Sequence, residues 1–480
     1  MTQIKIYNTK TRTKEIFAPI KEGVLKIYSC GPTVYSTQHI GNLRAALVWD
    51  FVKRTFRYFG YQVEDVMNIT DVGHLTSDAD DGEDKFEKAI KKENKHPLEI
   101  AKYYENIYLN DIDKINVIKP KYIPRASEEI KEQIDIIKSL EKNGYTYTTQ
   151  DGVYFDTSKF KDYGKLSGQH LEEKKKDARV TNKDTKRNYQ DFALWIFCVG
   201  EHKNHTLRWE SPWGVGFPGW HIECSAMGYK YLGNMIDIHT GGIEHIPIHH
   251  ENEIAQNQCS ENSIDVINYW MHNEHLLVNN EKMSKSLGNV YILDDLIEKG
   301  YHPLAFREMT LKTHYRKSMN FTFDGLLASQ KNVDKINNFY NKLRLIKFDI
   351  ADNQLEIIYD MLIKKFNEAL SDDFNTAEAL ASLYEFMNEF NKFEKYSEKD
   401  VMFAKKFFDN TNSVLGLLFT ELEEIPLEVI ELAKERAKAR ENKDFIKSDE
   451  IRDEIKHLGY EINDSKETKN GFIITSLKNR

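Results

Sequence analysis

Short apolar segments alternate with longer helical patterns through about residue 310. Four segments have the short apolar pattern that is typical of strands: residues 23–28, 61–70, 234–242 and 267–278. Between the first two, residues 43–60 place apolar side chains at helical spacing, and Gly60 is expected to end that helix. This alternation predicts a doubly wound α/β domain with a parallel sheet.

The α/β pattern is first interrupted and then replaced. Residues 169–190 form a charged run with few apolar side chains, which predicts an exposed loop inside an insertion from about residue 115 to about residue 205. Beyond residue 320 the strand signals vanish, and apolar residues recur at helical spacing: Phe366, Leu370, Leu380, Leu383, Met387 and Phe390. Asn375, with Glu378 three residues later, has the arrangement of a helix N-cap.

Three parts are therefore expected. Residues 1–315 form the α/β domain with its insertion, residues 316–420 form an all-α helical bundle, and residues 421–480 form a small region with a further helix and a hairpin. The chain has 480 residues, of which 40% are hydrophobic and 12% aromatic, so it can fill about three cores.

Composition narrows the class of protein. The first residues lack the apolar segment of an export signal, and no run of about 18 apolar residues occurs later, so we expect a cytoplasmic protein. The four cysteines form no CxxC pair, which argues against a disulfide framework and leaves them buried, catalytic or metal-bound. A net charge of −9 means that any contact with nucleic acid must be regional.

The first stretch with candidate chemistry is YSCGPTVYSTQHIGN, where a predicted strand leads into a predicted helix. Cys30, His39 and Gly41 lie in it, at the edge of a parallel sheet where ligands bind, and a helix start there favours an anion such as phosphate. The alternative is a tight turn with a histidine that is bonded locally.

A second candidate is a metal site. His249 and Glu253 are four residues apart and share one side of a helix, and two distant thiolates, Cys30 and Cys224, can complete a tetrahedron for zinc. The alternative is a polar helix start with two unrelated buried cysteines, and spacing leaves both interpretations open.

A third candidate is the segment NNEKMSKSLGN, which places Lys282 and Lys285 among small polar residues. Lysines on a mobile loop suit a triphosphate because they can follow the charge that develops during nucleotidyl transfer. An ordinary solvated loop has the same composition.

The segments HIGN and KMSKS, about 240 residues apart, resemble the paired signatures of class I aminoacyl-tRNA synthetases. Together with CGPTVY, NITD, GWHIECSAM, HHENEIAQ and LSDDFNTAEAL, they are similar to the cysteinyl-tRNA synthetase family over nearly the whole chain. The resemblance implies a Rossmann-like catalytic domain with an insertion, followed by the helical bundle and a C-terminal anticodon-binding region. It also implies activation of L-cysteine with ATP to cysteinyl-adenylate and pyrophosphate, and transfer of cysteine to tRNA(Cys).

The resemblance assigns roles to matching positions. It implies one zinc ion per chain on Cys30, Cys224, His249 and Glu253. It implies an amino-acid pocket lined by Gly31, Thr70 and Trp220. For ATP, with Mg²⁺, it implies the residues His39, Gly41, Asn42, Glu244, Lys282, Met283 and Lys285, of which His39, Lys282 and Lys285 serve catalysis. Zinc would ligate the substrate thiolate and so discriminate against serine.

Three positions depart from the family pattern. Glu244 stands where Asp is common near the nucleotide, and Phe217 and Ile196 stand where Arg and Lys are usual. The segment NITDVGHLTSD is also a variant of the commoner form. These departures concern the ribose contact and the tRNA acceptor end.

Two rival functions remain at this point. A ligase that hands activated cysteine to a small amino-sugar acceptor would share the catalytic half and lack most of the C-terminal helical region, which this chain has. A non-catalytic RNA-binding or regulatory relative would lack a KMSKS lysine or a zinc ligand, and this chain has all of them.

Overall fold

The computed structural model describes residues 2–72, 95–168, 186–261, 266–349, 353, 355–419, 426–465, 468 and 470–476. Most of the predicted charged loop, residues 169–185, lies outside this part of the chain, as does most of the variant segment after NITD.

Strands and helices alternate through the first part of the described chain. The strands are β1 (Lys5–Asn8), β2 (Thr13–Ile16), β3 (Val24–Ser29), β4 (Gln62–Met67), β5 (Thr146–Thr148), β6 (Gly152–Phe155), β7 (Phe192–Phe197), β8 (Gly216–Pro218), β9 (Ile236–Gly242), β10 (Ile267–Asn273), β11 (Leu276–Val278), β12 (Glu281–Lys282), β13 (Met319–Phe321), β14 (Tyr460–Asp464) and β15 (Phe472–Ser476). The helices are α1 (Ile40–Tyr58), α2 (Pro97–Lys114), α3 (Ile130–Lys142), α4 (Trp220–Leu232), α5 (His249–Glu261), α6 (Leu293–Glu298), α7 (Pro303–Leu311), α8 (Phe323–Lys342), α9 (Glu356–Ser371), α10 (Thr376–Phe390), α11 (Glu398–Leu415), α12 (Leu427–Glu441) and α13 (Phe445–His457).

The central sheet is parallel and has the order β10-β9-β3-β4. Its two faces enter different cores: Leu25 and Ile27 of β3 pack with Val52 of α1, whereas Tyr28 packs with Met227 of α4. Successive side chains of a strand point to opposite faces, so helices cover both sides. The prediction of a doubly wound α/β domain is confirmed, and the strand order reverses direction between β3 and β9, where ligands of such folds bind.

A second sheet interrupts this domain between β4 and β9. Strands β5, β6, β7 and β8 form an antiparallel sheet in that order, and helix α3 packs against α4 and α5. This sheet and α3 lie within or beside the predicted insertion, whose limits stay a prediction.

Helices follow the α/β part, as the pattern predicts. Helix α9 packs against α10 and α11, and the rings of Phe386 and Phe407 stack with their centroids 4.1 Å apart. Asn375 caps α10, because its Oδ1 accepts from the backbone N–H of Glu378 at 3.3 Å. None of the helices in the described residues is long and apolar enough to cross a bilayer.

The C-terminal elements have a core of their own. Helices α12 and α13 pack on each other and on the hairpin β14–β15, which the sequence predicted. The core consists of apolar side chains from all of these elements: Val429, Ala433, Ile451, Ile455, Tyr460, Ile462 and Phe472. The domain limits at residues 315 and 420 stay predictions.

A buried ion pair lies where the α/β part meets the helical bundle, and one of its arginines also bonds the bundle. Asp50 of α1 accepts from Arg307 Nη2 of α7 at 2.7 Å and from Arg54 Nε at 2.7 Å. Arg307 also donates to the carbonyl oxygen of Leu415, at the end of α11, at 2.6 Å. Burial raises the pKa of Asp50, but the two guanidinium groups outweigh burial and hold that pKa below its usual range.

We expect Asp50→Ala to lower the free energy of unfolding by about 3–5 kcal/mol, because it leaves the buried guanidinium of Arg307 without its carboxylate. The measurement is the thermal unfolding midpoint of the variant. Asp360→Ala, at an exposed position of α9, is the matched control and should stay within about 0.5 kcal/mol of the parent. Equal midpoints for the two variants would contradict this prediction.

Candidate active site and metal centre

A cavity of about 240 Å³ opens at the carboxyl ends of β3 and β9. Its lining includes five of the residues singled out from the sequence: Cys30, Gly31, Asn42, Trp220 and Glu244. They come from the turn after β3, the start of α1, the start of α4 and the end of β9. Segments up to about 200 residues apart in the chain therefore meet at the edge where parallel α/β sheets bind ligands.

The HIGN segment forms the start of α1, with His39 as the N-cap residue. His39 Nδ1 accepts from the backbone N–H groups of Gly41, at 3.1 Å, and Asn42, at 3.4 Å. The expectation that the helix start offers free N–H groups to an anion is therefore wrong for these two residues. The His39 ring satisfies them as a capping side chain does.

The KMSKS segment packs on that helix start. A Cβ atom added at Gly41 would lie 2.7 Å from Met283 Cε, so the two segments are in close contact at this point. Ile40 N–H donates to Tyr291 O at 2.9 Å, which ties the helix start to the chain just after the loop. HIGN and KMSKS are thus neighbours in space although they are far apart in sequence.

Hydrogen bonds close the KMSKS loop on itself. Asn289 Oδ1 accepts from Ser284 N–H at 2.8 Å, and Asn289 Nδ2 donates to Lys282 O at 3.2 Å. Lys282 lies at the end of β12 and is exposed, and Lys285 begins a short 3₁₀ turn over Lys285–Leu287. The side chain of Lys285 lies outside the part of the chain that the structure describes.

Four side chains with metal-ligand chemistry meet next to the cavity: Cys30, Cys224, His249 and Glu253. Of these four, Cys30 lines the cavity. Their ligand atoms all lie within 4.8 Å of one another, with Cys224 Sγ 3.5 Å from His249 Nε2 and Glu253 Oε1 3.0 Å from the same nitrogen. Bonds of about 2.0–2.3 Å to a tetrahedral ion separate ligands by about 3.3–3.8 Å. Two thiols, an imidazole and a carboxylate that lie this close together are a donor set that suits zinc.

The protonation of this cluster follows from its burial and from the partners that its members bond. Burial raises the pKa of the Cys30 thiol, and the bond to Cys30 together with burial raises the pKa of Cys224 well above its usual value. Burial also raises the pKa of Glu253, but His239 and His249 outweigh it and lower that pKa to about 2. Burial lowers the pKa of His249, whereas its bonds to Cys224 and Glu253 raise it to about 10. A metal ion would displace these protons, because it competes for the same lone pairs.

Further histidines that the sequence pattern did not predict as ligands lie around this cluster. A second set of ligand atoms, formed by Cys30, His239, His250 and Glu253, shares two members with the first and meets the same distance limit. His239 Nε2 lies 2.7 Å from Glu253 Oε2. His239 stands near the end of the predicted strand 234–242, and that position was the signal available in the sequence.

A neighbouring histidine fixes the orientation of the His249 ring. Its Nδ1 lies 3.0 Å from His221 Nδ1, which leaves Nε2 directed at Cys224 and Glu253. Neighbours of this kind fix which imidazole nitrogen can bind a metal.

Of the three residues predicted to line the amino-acid pocket, two line the cavity and the third lies outside its lining. Trp220 and Gly31 line the cavity, and the Trp220 ring lies 4.3 Å, centroid to centroid, from the His249 ring. Thr70 is not among the described residues that line it; it lies buried behind the wall, where its Oγ1 donates to Glu223 Oε2 at 2.8 Å.

The structure shows the surroundings of the three residues that depart from the family pattern, Glu244, Ile196 and Phe217. Glu244 is exposed at the cavity rim, with its carboxylate 3.8 Å from His275 Nδ1. Ile196 of β7 and Phe217 of β8 are cross-strand partners, and both are buried in the same core. Phe217 also stacks on His205, with ring centroids 3.9 Å apart. The two replacements together make one apolar contact.

Comparisons with known proteins agree with this geometry. Residues 16–331 match the family described as tRNA synthetases class I (C) catalytic domain, and residues 365–420 match the DALR domain. The fold is similar to a methionyl-tRNA synthetase of Mycobacterium tuberculosis solved with methionyl-adenylate, with a TM-score of 0.58 and 13% identity over 82% of this chain and 90% of that chain. A leucyl-tRNA synthetase complex of Agrobacterium radiobacter gives a TM-score of 0.60 and 12% identity over 84% and 85%.

The fold and its paired motifs define a class I aminoacyl-tRNA synthetase. A cysteine–tRNA ligase of Treponema denticola is 39% identical over 96% of this chain and 98% of its own length, and one of Caldicellulosiruptor saccharolyticus is 42% identical over 96% and 98%. The chain belongs to the cysteine–tRNA ligase family, enzymes that form aminoacyl-tRNA with AMP and diphosphate. The predicted family, fold class and enzyme class are confirmed.

Proposed function

We propose that this chain activates L-cysteine with ATP, releasing pyrophosphate, and then transfers the cysteinyl group from the adenylate to tRNA(Cys), releasing AMP. The observation that carries the proposal is the convergence of Cys30, Cys224, His249 and Glu253 next to the cavity that Cys30 and Asn42 of the HIGN helix start both line. A zinc ion on these ligands would bind a thiol side chain, and the lysines of the KMSKS segment, which packs on the HIGN helix start, would supply positive charge to the phosphates.

The activation step needs positioning and charge stabilisation more than covalent chemistry. The carboxylate of cysteine attacks the α-phosphorus of ATP, and the bond to pyrophosphate breaks. We assign ATP and its Mg²⁺ to a group of residues on the HIGN and KMSKS segments and at the cavity rim: His39, Gly41, Asn42, Glu244, Lys282, Met283 and Lys285. The close approach of Gly41 and Met283 supports this assignment because it makes the two segments neighbours in space.

Selection of cysteine rests on the metal ligands. A zinc ion held by the four ligands would bind the substrate thiolate directly, whereas a serine hydroxyl is a far poorer ligand. An apolar pocket alone separates near-isosteres by only about a hundredfold. Beside the ligands, Trp220 and Gly31 line the cavity that would receive the amino acid.

We assign the tRNA anticodon to the region 421–480. Its helical pair carries exposed cations on α12 and at the turn into α13: Lys434, Lys438, Arg440, Lys443 and Lys447. Arg436, which the sequence groups with them, is buried and bonds Asp464 Oδ1 at 2.7 Å, so it serves the fold of this region. Phe445 is 57% exposed beside these cations, and aromatic rings beside cations suit unstacked RNA bases.

The deciding experiment is ATP–pyrophosphate exchange with each of the twenty amino acids, followed by charging of total tRNA. Exchange with cysteine and charging of a cysteine acceptor are expected. Exchange with cysteine but no charging would favour the small-acceptor ligase, and no exchange with any amino acid would favour a non-catalytic relative.

Replacing Cys224 with serine tests the metal assignment. We expect the parent to hold about one zinc per chain. Cys224→Ser should hold much less zinc, and its rate of cysteine activation should be lower by about tenfold or more, because one thiolate ligand is gone. Elemental analysis measures the zinc. Cys198→Ser, outside the cluster, is the matched control. An unchanged zinc content in Cys224→Ser would remove that residue from the site.

A further inference from the structure

A chain of buried polar groups connects the two cysteine ligands from behind the cavity wall. The backbone N–H of Gly31 donates to Asn68 Oδ1 at 2.8 Å. Asn68 Nδ2 donates to Thr70 Oγ1 at 3.1 Å, and Thr70 Oγ1 donates to Glu223 Oε2 at 2.8 Å. Asn68, Thr70 and Glu223 are each no more than 1% exposed.

The direction of every bond in this chain is fixed. Because Gly31 can only donate, the Asn68 amide must turn its oxygen to Gly31 and its NH₂ group to Thr70. The hydroxyl of Thr70 then accepts from Asn68, and its single proton goes to the Glu223 carboxylate. A buried network with one consistent direction favours one geometry.

This series of hydrogen bonds begins and ends at the residues next to the two cysteines. Gly31 directly follows Cys30, and Glu223 directly precedes Cys224 on the first turn of α4. A Cβ atom at Gly31 would lie 1.6 Å from Asn68 O, so the backbones of these two residues are in close contact. The backbone adds to the connection, since Thr70 N–H donates to Pro32 O at 3.1 Å.

We propose that Asn68 and Thr70 are positioning residues that set the separation of the Cys30 and Cys224 sulfur atoms through this chain, and so allow both thiolates to bind one metal ion. The inference rests on the proposed metal site. Neither residue touches the ion. Asn68 bonds the backbone of the residue that follows Cys30, and Thr70 bonds the side chain of the residue that precedes Cys224.

A purely structural role for the same hydrogen bonds makes a different prediction. It would lower stability when a bond is lost, since buried polar groups would be left unpaired. It would leave the number of thiolates on the ion unchanged. The test therefore needs a readout of sulfur coordination as well as of stability.

Thr70→Val removes the hydroxyl at nearly constant volume, and Thr70→Ser keeps it. Zinc affinity is measured by competition with a chromophoric chelator, and sulfur coordination by the thiolate-to-metal charge-transfer absorption of the Co²⁺-substituted protein. We expect Thr70→Val to bind zinc about tenfold or more weakly and to lose charge-transfer intensity, and Thr70→Ser to resemble the parent.

Thr55→Val is the matched control, because Thr55 is a buried threonine whose Oγ1 donates to Phe51 O at 2.8 Å within α1. It should lose stability without any change in zinc affinity or cobalt spectrum. Asn68→Ala interrupts the same series of hydrogen bonds at the Gly31 end. If Thr70→Val does not fold, Asn68→Ala is the test variant and is expected to show the same loss of zinc affinity and of charge-transfer intensity.

The outcomes separate the two proposals. A parent protein that takes up neither zinc nor cobalt with thiolate bands would overturn the metal site itself. A parent with those bands, together with a folded Thr70→Val or Asn68→Ala variant that has the parental zinc affinity and spectrum, would overturn the positioning role alone.

Discussion

Replacing Lys285 with alanine is expected to lower the rate of cysteinyl-adenylate formation by about a hundredfold or more. The ammonium group stabilises the charge that develops on the phosphates as the bond to pyrophosphate breaks, so its loss raises the barrier and affects cysteine binding less. Pre-steady-state adenylate formation at saturating cysteine and ATP is the measurement.

Two controls make this result specific to the loop. Lys331→Ala, at an exposed position of α8, removes one positive charge elsewhere and should leave the rate unchanged. Lys285→Arg keeps the charge and should recover part of the rate. A rate constant within about twofold of the parent in Lys285→Ala would show that the assigned role is wrong.

Removal of residues from 421 onward should separate the two half-reactions. Every proposed metal and phosphate residue precedes residue 290, and the C-terminal elements have their own core, so cysteine activation should stay within about twofold of the parent. Charging at tRNA concentrations below saturation should fall by more than about a hundredfold. The dependence of tRNA binding on salt should also become shallower, because phosphate contacts are lost.

Circular dichroism establishes that the truncated protein is folded before both half-reactions are assayed. Within the full chain, replacement of Lys438, Lys443 and Lys447 by alanine should weaken tRNA binding, while Lys405→Ala with Lys406→Ala, on the exposed side of α11, should not. Normal charging by the truncated protein would contradict the anticodon assignment and favour the small-acceptor ligase.

The sequence predicted elements whose pattern is local. The strands β3, β4, β9 and β10 follow from short apolar runs, and helix α10 begins at the predicted cap because Asn375 and Glu378 are near neighbours in the chain. The pairing of His249 with Glu253 also follows from helical spacing, and the structure places their atoms 3.0 Å apart.

Features that depend on distant contacts could not be predicted in this way. His239 approaches Glu253 only because β9 and α5 are packed together, and no spacing rule specifies that contact. Arg436 is neutralised by Asp464, 28 residues later, across the packing of α12 on the hairpin. The capping of α1 by His39 uses local atoms, but a histidine is not among the residues typical of N-caps.

The cross-strand pair of Ile196 and Phe217 has a consequence for how this lineage changes over generations. Either cation of the usual pattern, restored alone, would enter an apolar core with its charge unpaired, at a cost that selection would remove. Both side chains of the usual pattern are cations, so restoring the two together would place like charges directly opposite each other, and neither would neutralise the other. Successive substitutions in this lineage are therefore expected to keep both positions apolar, and a hybrid that takes β7 or β8 from a relative of the usual pattern should be less stable than this chain.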